Sequence, residues 1–82
     1  MSVEIPFAHR VQLELRRARK KHGAMQSDPH AWAVIQEELD EFRDAYRAQP
    51  KNTIAMLTEL IHTAAMCQRA AEDLHLVKQE QL

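Results

Sequence analysis

Residues 53–74 read TIAMLTELIHTAAMCQRAAEDL, and this stretch decides the fold because it is apolar on nearly every side. With about 3.6 residues per helical turn, one side carries Ile54, Leu57, Ile61 and Ala64, and the opposite side carries Ala55, Met56 and Met66. A helix with apolar residues all round is usually buried between other helices. The sequence therefore predicts a long central helix that begins near Asn52 and Thr53, passes Leu74 and extends as far as Glu80.

Before this stretch, the chain predicts a first helix from about Pro6 to His22. Its apolar residues recur at spacings of three and four, which is the pattern of an amphipathic helix: Phe7, Val11, Leu15 and Ala18. Gly23 follows Lys20, Lys21 and His22, and basic residues in a last turn followed by glycine are typical of a helix end.

A second helix is expected to begin at Ser27-Asp28-Pro29 and to end near Gln49, before Pro50. Asp28 is suited to cap the free amides of the first turn, and Pro29 suits the first helical position. No segment alternates with the two-residue period of a strand, so we predict no sheet. The expected fold class is all-α, with three helices in one domain that spans residues 1–82.

Composition limits the classes of protein that this chain can represent. It has 82 residues, 45% of them apolar, and a net charge of −1, which argues against a surface built to bind nucleic acid or anionic membrane. No apolar run approaches the roughly 20 residues that span a bilayer, and we expect no signal peptide. The single cysteine, Cys67, cannot form an intramolecular disulfide, which favours the cytoplasm. Because so short a chain buries a small core, we expect it to associate with itself.

Carboxylates on the apolar sides of two helices are the main functional signal. Glu38 falls inside the apolar stripe of the second helix, and Glu41 lies at its rim. Glu59 and His62 are three residues apart, so they share one face of the third helix among apolar neighbours. A charged glutamate on an apolar face is costly unless it is paired, and inward-facing Glu-x-x-Glu and Glu-x-x-His pairs build metal sites in helical bundles.

An alternative interpretation is that these glutamates are solvated charges paired with Arg43 or Arg47. The stripe position of Glu38 and the apolar surroundings of Glu59 favour the metal site. Glu37 lies off the stripe, so we expect it beside the ligands or in solvent rather than on the ion.

The arrangement Glu38-x-x-Glu41, seventeen intervening residues and then Glu59-x-x-His62 resembles the signature of MazG-like all-α nucleoside triphosphate pyrophosphohydrolases. The likeness covers about residues 7–76. It implies a helical bundle assembled as a dimer or tetramer, and hydrolysis of a (d)NTP to (d)NMP and pyrophosphate with Mg²⁺. It also implies that Glu38, Glu41 and Glu59 bind metal, with Glu38 and Glu41 at the catalytic centre.

His62 stands where the resemblance expects a fourth acidic residue. Mg²⁺ prefers oxygen ligands, whereas imidazole suits Mn²⁺ and other divalent transition metals. His62 is therefore expected to shift the metal preference, to bind through water, or to mark a catalytically degenerate module that binds nucleotide or another protein.

Other residues have two interpretations each. Arg69 and Lys21 are candidates to meet the triphosphate. Trp32 is a candidate to stack on a nucleobase, although packing in the core is the expectation favoured by its place on the apolar stripe. The run from Arg16 to His22 suggests a second alternative, a small helical nucleic-acid-binding protein, but its basic residues are not interleaved with aromatic ones.

Overall fold

The computed structural model describes residues 4–77, and over that range it contains three helices and no strand. They are α1 (Phe7–Lys21), α2 (Asp28–Arg47) and α3 (Thr53–Asp73). The predicted all-α class is confirmed for this part of the chain. α3 is the central element, because the extensive contacts between helices are those of α3 with α2 and of α3 with α1.

The first residues of α2 and α3 are determined by capping hydrogen bonds rather than by the pattern of apolar residues. The Ser27 hydroxyl accepts a hydrogen bond from the backbone N–H of His30 at 3.2 Å, so Ser27 is the cap of α2 and the prediction of Asp28 as its cap is wrong. Asn52 caps α3 by accepting from the backbone N–H of Ala55 at 3.0 Å. In both cases a side-chain oxygen satisfies an amide that the helix leaves free.

α3 ends at Asp73, so the prediction that it continues past Leu74 is wrong, and Glu80 lies outside the described residues. His75 adopts a φ of 61°, the left-handed conformation. The backbone N–H of Leu76 donates to the carbonyl of Ala71, and that of His75 donates to the carbonyl of Glu72. These two bonds form a Schellman motif, which closes the helix with a histidine where glycine is usual.

The core lies where one end of α1, the α1–α2 loop and the start of α2 meet the second half of α3. Its buried apolar members are Val11, Leu15, Ala18, Met25, Ala31, Ala65, Met66 and Ala70. Most of these are small, so α3 approaches its neighbours closely, and the core supplies only a modest area of apolar burial.

A buried ion pair fastens the α1–α2 loop to the end of α3. Arg69 is 3% exposed, and its Nη2 donates a short hydrogen bond to the carbonyl of Gly23. Its Nε lies 3.7 Å from Oδ2 of Asp73, and that oxygen also accepts from the backbone N–H of Met25 at 2.9 Å. Arg19 of α1 donates to the other oxygen of Asp73 at 2.8 Å. Burial acts to raise the pKa of Asp73, but the hydrogen bonds from Arg19 and Met25 outweigh it and lower that pKa.

Large apolar side chains remain uncovered on α2 and α3. Trp32 is 67% exposed, so the expectation that it packs in the core is wrong. It lies seven and fourteen residues before Leu39 and Tyr46, which are also exposed. On α3, the exposed apolar residues include Ile54, which is 80% exposed, Leu57 and Leu60. Exposed contiguous apolar surface on a small protein commonly marks a contact with another molecule.

Within residues 4–77, no helix is both long enough and apolar enough to cross a bilayer.

Candidate metal centre

Three predicted site residues meet between α2 and α3. Nδ1 of His62 lies 3.4 Å from Oε2 of Glu38 and 3.4 Å from Oε1 of Glu59. One ligand atom from each residue lies within 4.8 Å of the other two. Glu59 and His62 share a face of α3 because they are one turn apart, and α2 presents Glu38 to that face.

Two carboxylate oxygens of this cluster are buried without a hydrogen-bond partner among the described residues. They are Oε2 of Glu38 and Oε1 of Glu59, the same atoms that face His62. The side chains of Glu38 and Glu59 are 18% and 15% exposed. Burial of an unsatisfied carboxylate oxygen is unfavourable, and a cation bound between the oxygens removes this cost.

The separations of Nδ1 of His62 from the two carboxylates fit a divalent ion. Two donor atoms that each lie about 2.1 Å from an ion at a tetrahedral angle are about 3.4 Å apart. Nδ1 of His62 has that separation from both carboxylates. The donor set of two carboxylates and one imidazole suits Mn²⁺, Co²⁺ or Zn²⁺, whereas Mg²⁺ prefers oxygen ligands alone.

Glu41 is exposed at the edge of this cluster. A hydrogen-bonding contact with Glu59 and then burial raise the pKa of Glu41. Burial, followed by the neighbouring carboxylate of Glu38, raises the pKa of Glu59. Both shifts have the direction expected when carboxylates crowd together, and a bound divalent cation would reverse it.

The structure adds one residue that the sequence analysis missed. Oε1 of Glu14, in α1, lies 3.6 Å from Nε2 of His62, on the opposite side of the ring from Glu38 and Glu59. Hydrogen bonds from Arg17 lower the pKa of Glu14 despite its burial. A signal was present, because Glu14 lies three residues after Val11 and four before Ala18, on the apolar side of the first helix.

A cavity of about 610 Å³ adjoins the cluster between the end of α1, the following loop and α2. Its size falls in the range of small-molecule sites. Glu38 forms part of its wall, and so do both predicted phosphate-binding residues, Lys21 and Arg69. Lys21 is exposed, whereas the guanidinium of Arg69 is engaged by Gly23.

The remaining predicted site residues are not members of the cluster. Glu37 is exposed and lines the cavity. Trp32 is not among the residues that line it, so base stacking by Trp32 stays a prediction that needs a surface outside this cavity.

Over residues 4–77, the fold and the donor cluster define a three-helix unit with a candidate divalent-metal centre. Comparison with protein-family models, with curated proteins and with solved structures found no match for this chain.

Proposed function

We propose that this protein is a subunit of a metal-dependent nucleoside triphosphate pyrophosphohydrolase, which converts (d)NTP and water to (d)NMP and pyrophosphate. The observation that carries the proposal is the convergence of the Glu38, Glu59 and His62 ligand atoms within 4.8 Å of one another. The adjoining cavity, which Lys21 lines, provides room and positive charge for a nucleotide. The resemblance of the Glu38-to-His62 spacing to MazG-like enzymes supports the choice of reaction.

The residues have separate roles in this proposal. Glu38, Glu59 and His62 would hold a divalent ion, with Glu41 at the open edge as a further carboxylate. When bound, the ion would neutralise phosphate oxygens and lower the pKa of a water molecule. Lys21 would attract and orient the triphosphate, and Glu38 would join the cavity to the metal centre. Arg69 is a weaker phosphate candidate, because its guanidinium is already bonded to Gly23.

The direct test is pyrophosphate release from a panel of NTPs and dNTPs, with Mg²⁺ and separately with Mn²⁺. We expect release to depend on the metal and to be faster with Mn²⁺, because His62 supplies a nitrogen ligand. If no nucleotide released pyrophosphate with either metal, the proposal would be contradicted.

The uncovered apolar surface supports self-association into the helical bundle that the resemblance implies. A second copy of this chain, placed over Leu57 and Leu60 of α3, would add apolar burial that the small core lacks. The single cysteine is consistent with a cytoplasmic assembly. Whether two or four copies assemble is an outcome of sedimentation velocity rather than part of the proposal.

Leu57→Glu is expected to shift the protein toward monomer, because it places a charge in the contact between copies. Burial of an unpaired carboxylate costs several kcal/mol, enough to weaken association by roughly 100-fold or more. Sedimentation velocity at several concentrations measures the effect. Gln49→Glu adds the same charge at an exposed polar position and is the matched control. A wild-type protein that is monomeric at all concentrations would exclude the assembly.

Glu59→Gln is expected to stabilise the metal-free protein and to remove its stabilisation by divalent ions. The carboxylate oxygens of Glu38 and Glu59 lie within 4.8 Å of each other, and like charges at such a distance repel by at least about 1 kcal/mol in water and about 3 kcal/mol near a protein surface. Thermal unfolding with and without Mn²⁺ measures both effects. Asp44→Asn removes one exposed carboxylate outside the cluster and should change neither stability nor metal response.

The difference in stability between Glu59→Gln and the wild-type protein should depend on pH in a definite direction. Because the pKa of Glu59 is raised in the folded state, the folded protein holds that proton more strongly than the unfolded chain does. The contribution of Glu59 to stability is then present at low pH and is lost as pH rises through the folded pKa. The advantage of Glu59→Gln should grow as pH rises through the folded pKa and should vanish below about pH 4, near the unfolded pKa of glutamate.

A second candidate function is a degenerate module that binds metal or nucleotide without hydrolysis. His62 at the position of an acidic residue favours it, and stabilisation by metal without pyrophosphate release would support it. Nucleic-acid binding is less favoured, because Arg17 is paired with Glu14 and Arg19 with Glu72 and Asp73. Salt-sensitive binding to DNA would support that alternative instead.

A further inference from the structure

The imidazole of His62 lies between carboxylates of all three helices. On one side, Nδ1 faces Glu38 and Glu59 at 3.4 Å each. On the other side, Nε2 faces Oε1 of Glu14 at 3.6 Å. The His62 side chain is 27% exposed and that of Glu14 is 12% exposed, so solvent competes little for these contacts.

Glu14 is itself held in place by Arg17. Nε of Arg17 donates to Oε1 at 2.8 Å, and Nη2 donates to Oε2 at 2.6 Å. This two-bond pairing fixes the plane of the carboxylate and favours its ionised form. Glu14 therefore offers His62 an acceptor in a fixed position and has no proton of its own to donate.

A neutral imidazole carries a proton on one nitrogen and a lone pair on the other. When a cation lies between Nδ1, Glu38 and Glu59, the proton of the ring is on Nε2, which faces Glu14. A movement of about 0.6 Å then brings Nε2 and Glu14 to ordinary hydrogen-bond distance. The lone pair of Nδ1 then points to the side of the ring where Glu38 and Glu59 have their buried, unpaired oxygens. In that tautomer Nδ1 and the two carboxylate oxygens are three acceptor atoms that one divalent cation can satisfy together.

We infer that Glu14 is a positioning residue that holds the proton of His62 on Nε2 and so presents Nδ1, together with Glu38 and Glu59, to a divalent transition-metal ion. The inference rests on the proposed metal centre and specifies its ligand atom and its class of metal. Carboxylates that accept from the free nitrogen of a metal-binding histidine orient the ring and raise its basicity as a ligand. Glu14 and Arg17 would have this role, although they lie on a helix that contributes no ligand.

The test combines metal affinity with a direct measurement of the protonated nitrogen. Zn²⁺ and Co²⁺ binding is measured by calorimetry, and long-range ¹⁵N–¹H spectra of the Zn²⁺ form identify which nitrogen of His62 carries the proton. We expect metal on Nδ1 and the proton on Nε2. Glu14→Ala should weaken Zn²⁺ and Co²⁺ binding by about 10- to 100-fold. Mg²⁺ binding, which does not use imidazole, should change much less.

Two variants separate positioning from structure. Glu14→Gln keeps an acceptor oxygen beside Nε2 and should recover most of the affinity that Glu14→Ala loses. Glu72→Ala removes another contact between α1 and α3, the ion pair of Arg19 with Glu72 at 2.6 Å, and should leave metal affinity unchanged. The Co²⁺ absorption spectrum should change in Glu14→Ala but not in Glu72→Ala.

Three results would overturn the inference. One is metal bound to Nε2 of His62 in the wild-type protein. Another is a folded Glu14→Ala variant that binds Zn²⁺ and Co²⁺ as tightly as the wild type does, which would leave the metal centre itself standing. The third is a wild-type protein that binds neither ion, which would remove the proposed metal centre as well.

Discussion

Glu38→Gln is expected to abolish both divalent-ion binding and pyrophosphate release while leaving the helices intact. Glu38 is the residue that α2 contributes to the three-residue cluster, and it also lines the adjoining cavity. Glutamine keeps the shape of the side chain but removes the charge that would hold the ion. The loss of one electrostatic group at a reaction centre costs at least about 100-fold in kcat/KM, and the loss of a metal ligand should cost more.

Steady-state kinetics and calorimetry with Mn²⁺ measure the two losses. Asp44→Asn is the matched control, because Asp44 is an exposed acidic residue of the same helix that lies outside the cluster. It should retain kcat/KM within about twofold, as expected for an exposed side chain away from the site. Full activity in Glu38→Gln would show that the hydrolytic centre lies elsewhere.

Arg69→Met is expected to cause the largest loss of stability of any single substitution considered. It removes one of the two arginines that contact the buried carboxylate of Asp73, and the hydrogen-bond donor to the Gly23 carbonyl in the α1–α2 loop. Arg19 still donates to Asp73 at 2.8 Å, so the cost should lie near the lower end of the about 3 to 5 kcal/mol that loss of one member of a buried pair causes. A small domain has little more than this to lose, so the variant should be largely unfolded or unfold at low urea.

Urea unfolding followed by circular dichroism measures this loss. Arg43→Met removes an exposed arginine that pairs with Asp40 and Asp44, and it should change stability by less than about 1 kcal/mol. An Arg69→Met protein as stable as the wild type but with a raised KM for nucleotide would instead support the prediction that Arg69 binds phosphate.

The fold was predictable from the sequence because its strongest signal, the all-round apolar character of residues 53–74, comes from the central helix itself. The helix ends were less predictable, because they depend on single hydrogen bonds. Ser27 and Asp28 are both good caps, and the sequence does not say which side chain reaches the free amide. The left-handed turn at His75 could not be predicted, because glycine is the residue that usually indicates such a turn.

The exposure of Trp32 could not be read from its place on an apolar stripe, for a different reason. An apolar stripe identifies the face of a helix that is expected to be buried. It does not show whether the surface that covers this face belongs to the same chain or to another copy. The same limit applies to Leu39 and Tyr46, which continue the exposed face along α2.

The cluster of Glu38, Glu59 and His62 was predictable because each is a polar residue on the apolar side of its helix. Buried polar side chains are stable only when they are paired, so such residues are expected to contact one another. Glu14 is also a polar residue on the apolar side of its helix. Its charge, however, is already explained by pairing with Arg17, three residues later in the sequence. The role of Arg69 could not be predicted, because its partner is a loop carbonyl that only the tertiary structure brings near.

Hydrolysis of a nucleoside triphosphate in ¹⁸O-labelled water, followed by ³¹P NMR of the products, tests the proposed reaction most directly. Metal-dependent formation of equal amounts of nucleoside monophosphate and pyrophosphate is expected, with the label on the monophosphate because water attacks the α-phosphorus. Label in the pyrophosphate, formation of nucleoside diphosphate with inorganic phosphate, or no turnover with any nucleotide in Mg²⁺ or Mn²⁺ would contradict it.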